Sequence, residues 1–299
     1  MKKTVGIIGA GAWGTALAIT AARGGNSVIL WSVSEESVKE INQKRQNFYL
    51  PGVSISREII ATNDMADLAR ADVWLIVTPT EFFRETIQKS RPFWKKQPII
   101  ICSKGIEPQT GKFLSDVVSE IIPGAGRMIG VLAGPQFALE VAAGKPSGCT
   151  VAGPRKVFAV ARDVLPGFVL EESNDIYGAQ ICCVGKNVVA MLLGYLDGQG
   201  VGENERALKL TQSWQEIMSF SQLFRAKTDT FNMLCGIGDL FLTATSKTSR
   251  NYSAGLALAK GKKIVGTVEG IASLKWMMSI AKKNKLHLPT LENFSKIVG

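Results

Sequence analysis

The chain has 299 residues, of which 46% are hydrophobic and 20% are charged. At roughly 150 residues per domain, this length predicts about two domains. The abundance of core-forming residues excludes intrinsic disorder and a collagen-like fibre. A net charge of +10, from 35 Lys and Arg against 25 Asp and Glu, attracts phosphate groups but does not choose among nucleic acids, membranes and small metabolites.

The chain contains five cysteines and a single histidine, His287. An odd number of cysteines without a Cys-x-x-Cys pair argues against a disulfide framework, and one histidine excludes a histidine-rich metal site. Catalysis by a serine or cysteine with a histidine base is disfavoured, because His287 would have to be that base. We therefore expect no metal ion, cysteines that fill the core, and a surface position for His287.

The first structural question is an uncharged stretch of eighteen residues, 5–22. Its length and apolar character are typical of a signal peptide or a short membrane span. Gly9, Gly11 and Gly14 argue against both interpretations, because glycines weaken a spanning helix. We expect a cytoplasmic protein that does not insert into a membrane.

Along residues 1–174, short apolar runs alternate with segments of helical spacing. Continuous apolar runs are typical of strands that are buried on both faces of a parallel sheet. The predicted strands are 5–8, 28–31, 73–77, 99–101, 128–132, 150–152 and 168–170, and the predicted helices are 13–23, 82–89 and 111–121. This alternation predicts a doubly wound α/β domain of the Rossmann type over residues 1–174.

Beyond residue 174, apolar residues recur at helical spacing and strand-like runs become scarce. The predicted helices are 177–196, 208–223, 251–259 and 268–283. Gly185 and Gly194 are expected to break the first of these helices. The sequence therefore predicts an all-α domain over residues 175–299.

Residues 9–14 form a Gly-x-Gly-x-x-Gly motif that follows the first predicted strand and opens the first predicted helix. Gly9 permits the tight turn, Gly11 lets the backbone approach a diphosphate, and Gly14 lets helix and strand pack closely. The helix N-terminus then offers N–H groups and partial positive charge to the anion. The motif predicts a dinucleotide site, although a glycine-rich turn in an α/β protein that binds no nucleotide has the same spacing.

The second strand ends at Ser32, where an NAD-specific site usually places Asp or Glu on the ribose 2′-hydroxyl. Ser32 is neutral, and Glu35 and Glu36 come later than that position. The expected cofactor is therefore NAD or NADP, and the sequence does not decide between them.

Six further motifs follow in order along the chain. They are SKGIE at 103–107, AGPQFA at 133–138, GKN at 185–187, DGQGVGEN at 197–204, GIGDL at 236–240 and SRN at 249–251. In this order and spacing, the set resembles the bacterial type of the NAD(P)-dependent glycerol-3-phosphate dehydrogenase family, over roughly residues 4–290. The resemblance implies reversible hydride transfer between NAD(P)H and dihydroxyacetone phosphate, giving glycerol 3-phosphate for phospholipid synthesis.

The resemblance also implies roles for individual residues. The expected catalytic residues are Lys186, Asp239 and Lys104. The expected substrate contacts are Lys104, Gly134, Gln136, Lys186, Asp239, Ser249, Arg250 and Asn251. The expected cofactor contacts are Gly9, Gly11, Ala12, Trp13, Gly14, Ser32, Lys104, Ala138, Arg250 and Glu269.

The chemistry of ketone reduction agrees with these assignments. A lysine can donate a proton to the ketone oxygen and stabilise the charge that develops on it. Lys186 lies in an otherwise uncharged segment, where the alternative to catalysis is an ammonium group that extends to solvent. Asp239 could instead cap a helix, and Arg250, which could bind a phosphate with a bidentate fork, could instead be a solvated loop residue.

Gln136 and Gly185 are among the positions that depart from the family. Gln136 stands where serine is common and could crowd the substrate or replace a hydrogen bond, and Gly185 directly precedes the proposed lysine. Two other functions stay open: a β-hydroxyacid dehydrogenase, which would not need the 249–251 set, and a sensor that binds NAD(P)H without catalysis. The basic residues at 260–263 and 282–285 are expected to be solvated helix faces rather than a nucleic-acid site, and a homodimer is neither indicated nor excluded.

Overall fold

The computed structural model describes residues 2–262 and 268–299. Lys263, one of the expected solvated lysines, lies outside the described residues. The chain divides into two compact units. The first contains the residues up to Leu132 together with Gln136–Ile176, and the second contains Ala133–Pro135 with Tyr177–Gly299. The expected domain boundary between residues 174 and 175 stays a prediction.

The first unit is built on a sheet of eight strands in the order β3-β2-β1-β4-β5-β6-β7-β8. The strands are β1 Thr4–Ile8, β2 Ser27–Trp31, β3 Ile59–Thr62, β4 Val73–Ile76, β5 Ile99–Ile101, β6 Ile129–Ala133, β7 Ser147–Ala152 and β8 Phe168–Ser173. Neighbours from β3 to β6 are parallel, and β7 is parallel to β8. The order 3-2-1-4-5-6 is that of a dinucleotide-binding sheet, with its switch point between β1 and β4.

The centre of this sheet explains why its strands are predictable from composition. Every residue of β4 and β5 is buried, as expected for strands covered by helices on both faces. The predicted doubly wound α/β class is confirmed. The edge strand β3 was not predicted; its residues alternate in burial, with Ile60 53% exposed, unlike the strands that are buried on both faces.

Among the described residues, six α-helices accompany the sheet. They are α1 Ala12–Arg23, α2 Glu35–Lys39, α3 Thr80–Ser90, α4 Leu114–Ile121, α5 Ala138–Ala142 and α6 Arg155–Val164. The expected start of a helix at residue 111 is wrong, because Gly111 has a φ of +68° in a turn and α4 begins at Leu114. The apolar stretch at residues 5–22 forms β1 and α1, so it is a strand and a helix of this unit rather than a single spanning helix.

After β6, the regular secondary structure among the described residues of the second unit consists of helices joined by loops. Its helices are α7 Ile176–Gly198, α8 Glu203–Ser221, α9 Asp239–Thr245, α10 Arg250–Ala259, α11 Glu269–Lys283 and α12 Pro289–Val298. The expected breaks in α7 are wrong, because the helix runs through Gly185 and Gly194. A Cβ on Gly185 would lie 2.7 Å from Cγ2 of Ile217 on α8. This glycine therefore permits close helix packing instead of ending the helix.

Within the described part of the chain, α7 is the one helix long and apolar enough to cross a membrane, and 89% of its apolar window is buried inside the protein.

All five cysteines are buried thiols, and burial raises the pKa of Cys102. The His287 side chain is 91% exposed. In the described residues, no group of three or more His, Cys, Asp or Glu is placed to hold a metal ion.

Candidate active site

The glycine-rich turn lies between β1 and α1, beside the end of β4. Gly9 has a φ of +123°, and a Cβ there would lie 2.8 Å from the carbonyl oxygen of Val77. A Cβ on Gly14 would lie 1.8 Å from the carbonyl oxygen of Gly9. Both positions therefore require glycine for close approach of the backbone. A Cβ on Gly11 would face open space among the described residues, on the side where a ligand could approach.

The N-terminus of α1 begins at Ala12 with Gly11 as its N-cap, and no described side chain caps it. The N–H groups of its first turn are consequently left to donate hydrogen bonds to a diphosphate. Trp13 stacks on Phe168 with ring centroids 6.5 Å apart and packs against the core of the first unit. This packing gives Trp13 a structural role, and its expected cofactor contact stays a prediction.

The end of β2 is neutral and internally hydrogen-bonded. Ser32 is 6% exposed, and its Oγ accepts a hydrogen bond of 3.2 Å from the backbone N–H of Ser34. Ser34 in turn caps α2, whose first turn holds Glu35 and Glu36. The two carboxylates therefore belong to a helix start beyond the strand tip, and the choice between NAD and NADP stays open.

Lys104 follows β5, at the same edge of the sheet as the end of β4. The preceding residue, Ser103, donates from Oγ to the carbonyl oxygen of Thr78 at 2.6 Å and so joins the two strand ends. Thr78 is 6% exposed, and its hydroxyl finds no hydrogen-bond partner in the described residues. A buried hydroxyl without a partner, next to the switch point of the sheet, is expected in a crevice that binds a ligand. Thr78 was not part of any motif that the sequence analysis identified.

The loop that carries Lys104 is anchored by ion pairs. Glu107 is fully buried and accepts two hydrogen bonds from the Arg84 guanidinium, at 2.7 and 2.9 Å. Arg84 also pairs with Glu120 on α4. The guanidinium lowers the pKa of the Glu107 carboxyl and, together with Lys112, lowers that of Glu120 to about 2.

The segment after β6 divides between the two units. Gly134 is buried and belongs to the second unit. Gln136 belongs to the first unit, where its buried Nε2 lacks a hydrogen-bond partner among the described residues. Ala138 begins α5 and packs against the core of the first unit. The unsatisfied amide of Gln136 is a donor that a ligand could use.

In the second unit, Lys186 on α7 and Asp239 on α9 form a buried ion pair. The Lys186 Nζ donates to Asp239 Oδ1 at 2.6 Å, and the two side chains are 7% and 1% exposed. Separating the two groups would leave each charge buried and unpaired, which is energetically costly. The pair is therefore held firmly in this arrangement. The two residues, both expected to be catalytic, lie 53 positions apart in the chain and are in direct contact in the structure.

Thr243 is a third member of this cluster that sequence reasoning missed. The Lys186 Nζ also donates to its Oγ1 at 3.0 Å, and that hydroxyl donates to the carbonyl oxygen of Asp239 at 2.7 Å. Thr243 lies one helical turn after Asp239, so the two face the same side of α9. That spacing was a usable signal, because a polar side chain four residues after an expected catalytic carboxylate shares its face.

The expected phosphate-binding residues lie at the start of α10, where their roles differ. Ser249 caps the helix, with its Oγ accepting from the N–H of Tyr252. Asn251 is buried and accepts from the N–H of Gly270 at 2.9 Å. Arg250 is 81% exposed, and its nearest acidic group, on Glu269, is 3.5 Å away. Arg250 is therefore the member of the set that is most available to a ligand.

Glu269, at the start of α11, joins these residues to α7. Its Oε2 accepts a hydrogen bond of 2.8 Å from Nδ2 of Asn187, the residue after Lys186. Its other carboxylate oxygen faces Arg250. Asn187 therefore positions Glu269. Asn187 belongs to the site although it was not among the expected contacts.

Taken together, each unit holds a distinct set of groups. The first carries a turn of backbone N–H groups whose close approach requires glycines, because a Cβ on Gly9 or Gly14 would collide with neighbouring backbone atoms. This turn fits the diphosphate of NAD or NADP. The second carries a buried ammonium group held by a carboxylate and a hydroxyl, together with an exposed arginine at a helix N-terminus. Proton transfer at an oxygen and binding of a phosphate are the chemistry that these groups allow.

Comparison with known proteins agrees with this chemistry. Residues 4–159 match the family model for the NAD-dependent glycerol-3-phosphate dehydrogenase N-terminus, and residues 175–299 match the model for its C-terminus. The chain belongs to the NAD-dependent glycerol-3-phosphate dehydrogenase family. The predicted resemblance and the predicted cofactor class, NAD or NADP, are confirmed.

Individual relatives of this family cover almost the whole chain. A glycerol-3-phosphate dehydrogenase (NAD(P)+) of Caulobacter vibrioides is 38% identical, over 99% of this chain and 92% of its own length. Another, of Parvibaculum lavamentivorans, is 35% identical with the same coverage. The crystal structure of glycerol-3-phosphate dehydrogenase from Coxiella burnetii matches with a TM-score of 0.89 and 31% identity, over 99% of this chain and 94% of that one.

Proposed function

We propose that this protein is an NAD(P)-dependent sn-glycerol-3-phosphate dehydrogenase. The reaction is reversible hydride transfer between NAD(P)H and dihydroxyacetone phosphate, with glycerol 3-phosphate as the reduced product. The observation that carries the proposal is the buried Lys186 ammonium, 2.6 Å from Asp239 and 3.0 Å from Thr243. Its family relatives, named for this activity, support the substrate.

The second unit supplies the acid for ketone reduction. When bound, the reduced nicotinamide supplies the hydride. The Lys186 ammonium would donate a proton to the ketone oxygen, and in the reverse direction the neutral amine would accept one. Asp239 and Thr243 hold the nitrogen in one position, so that little reorganisation accompanies the transfer.

The start of α10 would recognise the phosphate of the substrate. Arg250 supplies a guanidinium whose planar fork matches phosphate oxygens, and the helix N-terminus adds positive potential. Ser249 and Asn251 fix the backbone around it through the helix cap and the bond to Gly270. The substrate class that follows is a small phosphorylated ketone or alcohol. Lys104, Gly134 and Gln136 are proposed as further substrate contacts.

Two other functions predict different behaviour. A β-hydroxyacid dehydrogenase would act on carboxylates, and the family comparisons do not favour it. A sensor would bind NAD(P)H without turnover. A cytoplasmic location and the absence of nucleic-acid and membrane partners remain expectations, and a homodimer is left open by the sequence.

Steady-state oxidation of NADH and NADPH separates these functions. We expect turnover with dihydroxyacetone phosphate above that of a Lys186→Ala control, and formation of the sn-glycerol 3-phosphate enantiomer. Dihydroxyacetone without its phosphate should be a poor substrate. Binding of NAD(P)H without turnover would support the sensor, and preferential turnover of a 2-keto or 3-keto acid would support the β-hydroxyacid dehydrogenase.

A further inference from the structure

A buried asparagine outside every recognised motif contacts the glycine-rich turn. Asn47 is 2% exposed and lies 32 residues after Thr15 along the chain. Its Nδ2 donates to the carbonyl oxygen of Ala10 and to Oγ1 of Thr15, both at 2.8 Å. Ala10 lies inside the Gly-x-Gly-x-x-Gly motif and Thr15 directly follows it, so one amide joins two points of the turn.

The side-chain oxygen and the backbone oxygen of Asn47 also accept hydrogen bonds. Its Oδ1 accepts from the N–H of Tyr49 at 3.0 Å, and its backbone oxygen accepts from the N–H of Leu50 at 2.8 Å. Leu50 is buried in the core of the first unit. The amide is therefore held by a tight turn that is anchored in the core, and both of its donors act on the glycine-rich turn.

This arrangement matters because the turn binds an anion. A carbonyl oxygen directed at a diphosphate would repel it, whereas N–H groups attract it. The bond from Asn47 holds the Ala10 carbonyl on the protein side of the turn. The bond to Thr15 fixes the first turn of α1, where the N–H of Thr15 already donates to the carbonyl oxygen of Gly11 at 2.9 Å.

We propose that Asn47 is a positioning residue for cofactor binding, which holds the glycine-rich turn in the conformation that accepts the diphosphate of NAD(P)H. The inference rests on the proposed function only for the identity of the cofactor. Asn47 acts through Ala10 and Thr15, so its loss should weaken cofactor binding while the groups that bind and protonate the substrate stay intact.

Asn42 offers a matched control in the same segment. Its side chain also makes two hydrogen bonds of 2.9 Å to backbone groups, but both go to Ala61 on the edge strand β3. Asn42→Ala should therefore disturb the fold of this segment without touching the glycine-rich turn. Any common effect of the two substitutions measures stability, and the difference between them measures cofactor positioning.

The experiment measures dissociation constants of NADH and NADPH by fluorescence titration of the wild-type protein, Asn47→Ala, Asn47→Ser and Asn42→Ala. Loss of the Asn47 bonds should raise the dissociation constant of Asn47→Ala about tenfold, and Asn47→Ser, which keeps one donor, should lie between it and wild type. Asn42→Ala should change it less than twofold. At saturating cofactor, kcat and the KM for dihydroxyacetone phosphate should stay within about threefold of wild type for both alanine variants.

The outcomes are distinguishable. Wild-type affinity in folded Asn47→Ala, or an equal loss in Asn42→Ala, would overturn the inference while leaving the proposed function untouched. If Asn47→Ala does not fold, Asn47→Ser decides the question by the same comparison with Asn42→Ala. Absence of NAD(P)H binding by the wild-type protein would overturn both the inference and the proposed function.

Discussion

The glycine-rich turn of the first unit and the lysine cluster of the second differ in the kind of charge that they present to a ligand. The turn offers backbone N–H groups to an anion and is held in shape by the neutral amide of Asn47, with no charged side chain within residues 9–15. The cluster buries an ammonium and a carboxylate side by side, at 7% and 1% exposure. One region distributes partial charges over a main-chain turn, and the other concentrates full charges on two side chains.

The difference predicts how each region fails. A backbone site depends on shape, so its loss should appear as weaker binding with chemistry retained. A buried ion pair depends on both partners, so the loss of one should abolish chemistry and strain the fold. Substitutions in the two regions should consequently separate cofactor affinity from turnover.

The largest effect is expected from Lys186→Met, which removes the proton donor but keeps the length of the side chain. Turnover with dihydroxyacetone phosphate should fall by about 10³-fold, within the usual range for a general acid. The dissociation constant of NADH should stay within about twofold. Lys209→Met is the control, because Lys209 on α8 contacts Gln212 rather than the cluster. Near-normal kcat in folded Lys186→Met would remove this residue from the mechanism.

Arg250→Ala tests whether the start of α10 binds phosphate. Loss of charge-assisted hydrogen bonds worth about 1.5–3 kcal/mol should raise the KM for dihydroxyacetone phosphate by roughly 10- to 100-fold. The kcat/KM for unphosphorylated dihydroxyacetone should change little. Lys260→Ala, at the other end of the same helix, removes an exposed positive charge and should leave both substrates unaffected. Equal losses on the two substrates would contradict phosphate recognition by Arg250.

Thr243→Val asks whether the hydroxyl in the cluster positions the lysine. The substitution keeps the shape of the side chain but removes the acceptor 3.0 Å from Lys186 Nζ. We expect kcat to fall about tenfold, as for the loss of one hydrogen bond to a charged group, with KM nearly unchanged. Thr245→Val is matched to it, since Thr245 lies on the same helix and donates only to the carbonyl oxygen of Phe241 among its described contacts. A similar fall in both variants would indicate a general effect on α9.

The two regions also differ in how far the sequence predicts them. The glycine-rich turn is local: its spacing, a preceding apolar strand and a following helix all lie within residues 4–23, so fold and motif support one another. The buried strands β4 and β5 were also predicted from local information, namely their continuous apolar runs. Asn47 escaped, because nothing in residues 45–50 indicates that its amide lies against Ala10.

In the second unit the expected site residues came from the family motifs, which did not predict their geometry. Whether Lys186 extends to solvent or meets Asp239 depends on a contact across 53 residues, which periodicity does not encode. The expected helix breaks in α7 were wrong for a related reason. Gly185 has a low helix propensity, yet tertiary packing against Ile217 overrides it.

Ser32→Asp sharpens the contrast by placing a full charge in the region that lacks one. The carboxylate could still accept the N–H of Ser34, as Ser32 Oγ does, and would repel the 2′-phosphate of NADP. We expect the ratio of kcat/KM for NADH to that for NADPH to rise about tenfold. Ser32→Asn, which has nearly the same size without the charge, should leave the ratio within about twofold. An unchanged ratio in Ser32→Asp would show that the 2′ position lies away from this strand tip.

The smallest effect concerns stability, through the ion pair that anchors the Lys104 loop. Because Arg84 holds the pKa of Glu107 below its ordinary 4.5, the pair stabilises the first unit fully above that pH. This stabilisation is lost as the pH falls through the lower, folded-state pKa. Glu107→Gln should therefore lower Tm at pH 7 by roughly 3–6 °C, for about 1–2 kcal/mol after allowing for the partial exposure of Arg84.

The difference in Tm between Glu107→Gln and wild type should shrink as the pH falls below 4.5, because protonation then gives the wild-type side chain the same neutral charge. Glu85→Gln is the control, since Glu85 pairs with Lys89 on an exposed helix face and should shift Tm by less than about 1 °C at any pH. Scanning calorimetry between pH 3 and pH 7 measures both variants. A Tm difference for Glu107→Gln that is the same at both ends of this range would mean that side-chain packing, and not the charge pair, anchors the loop.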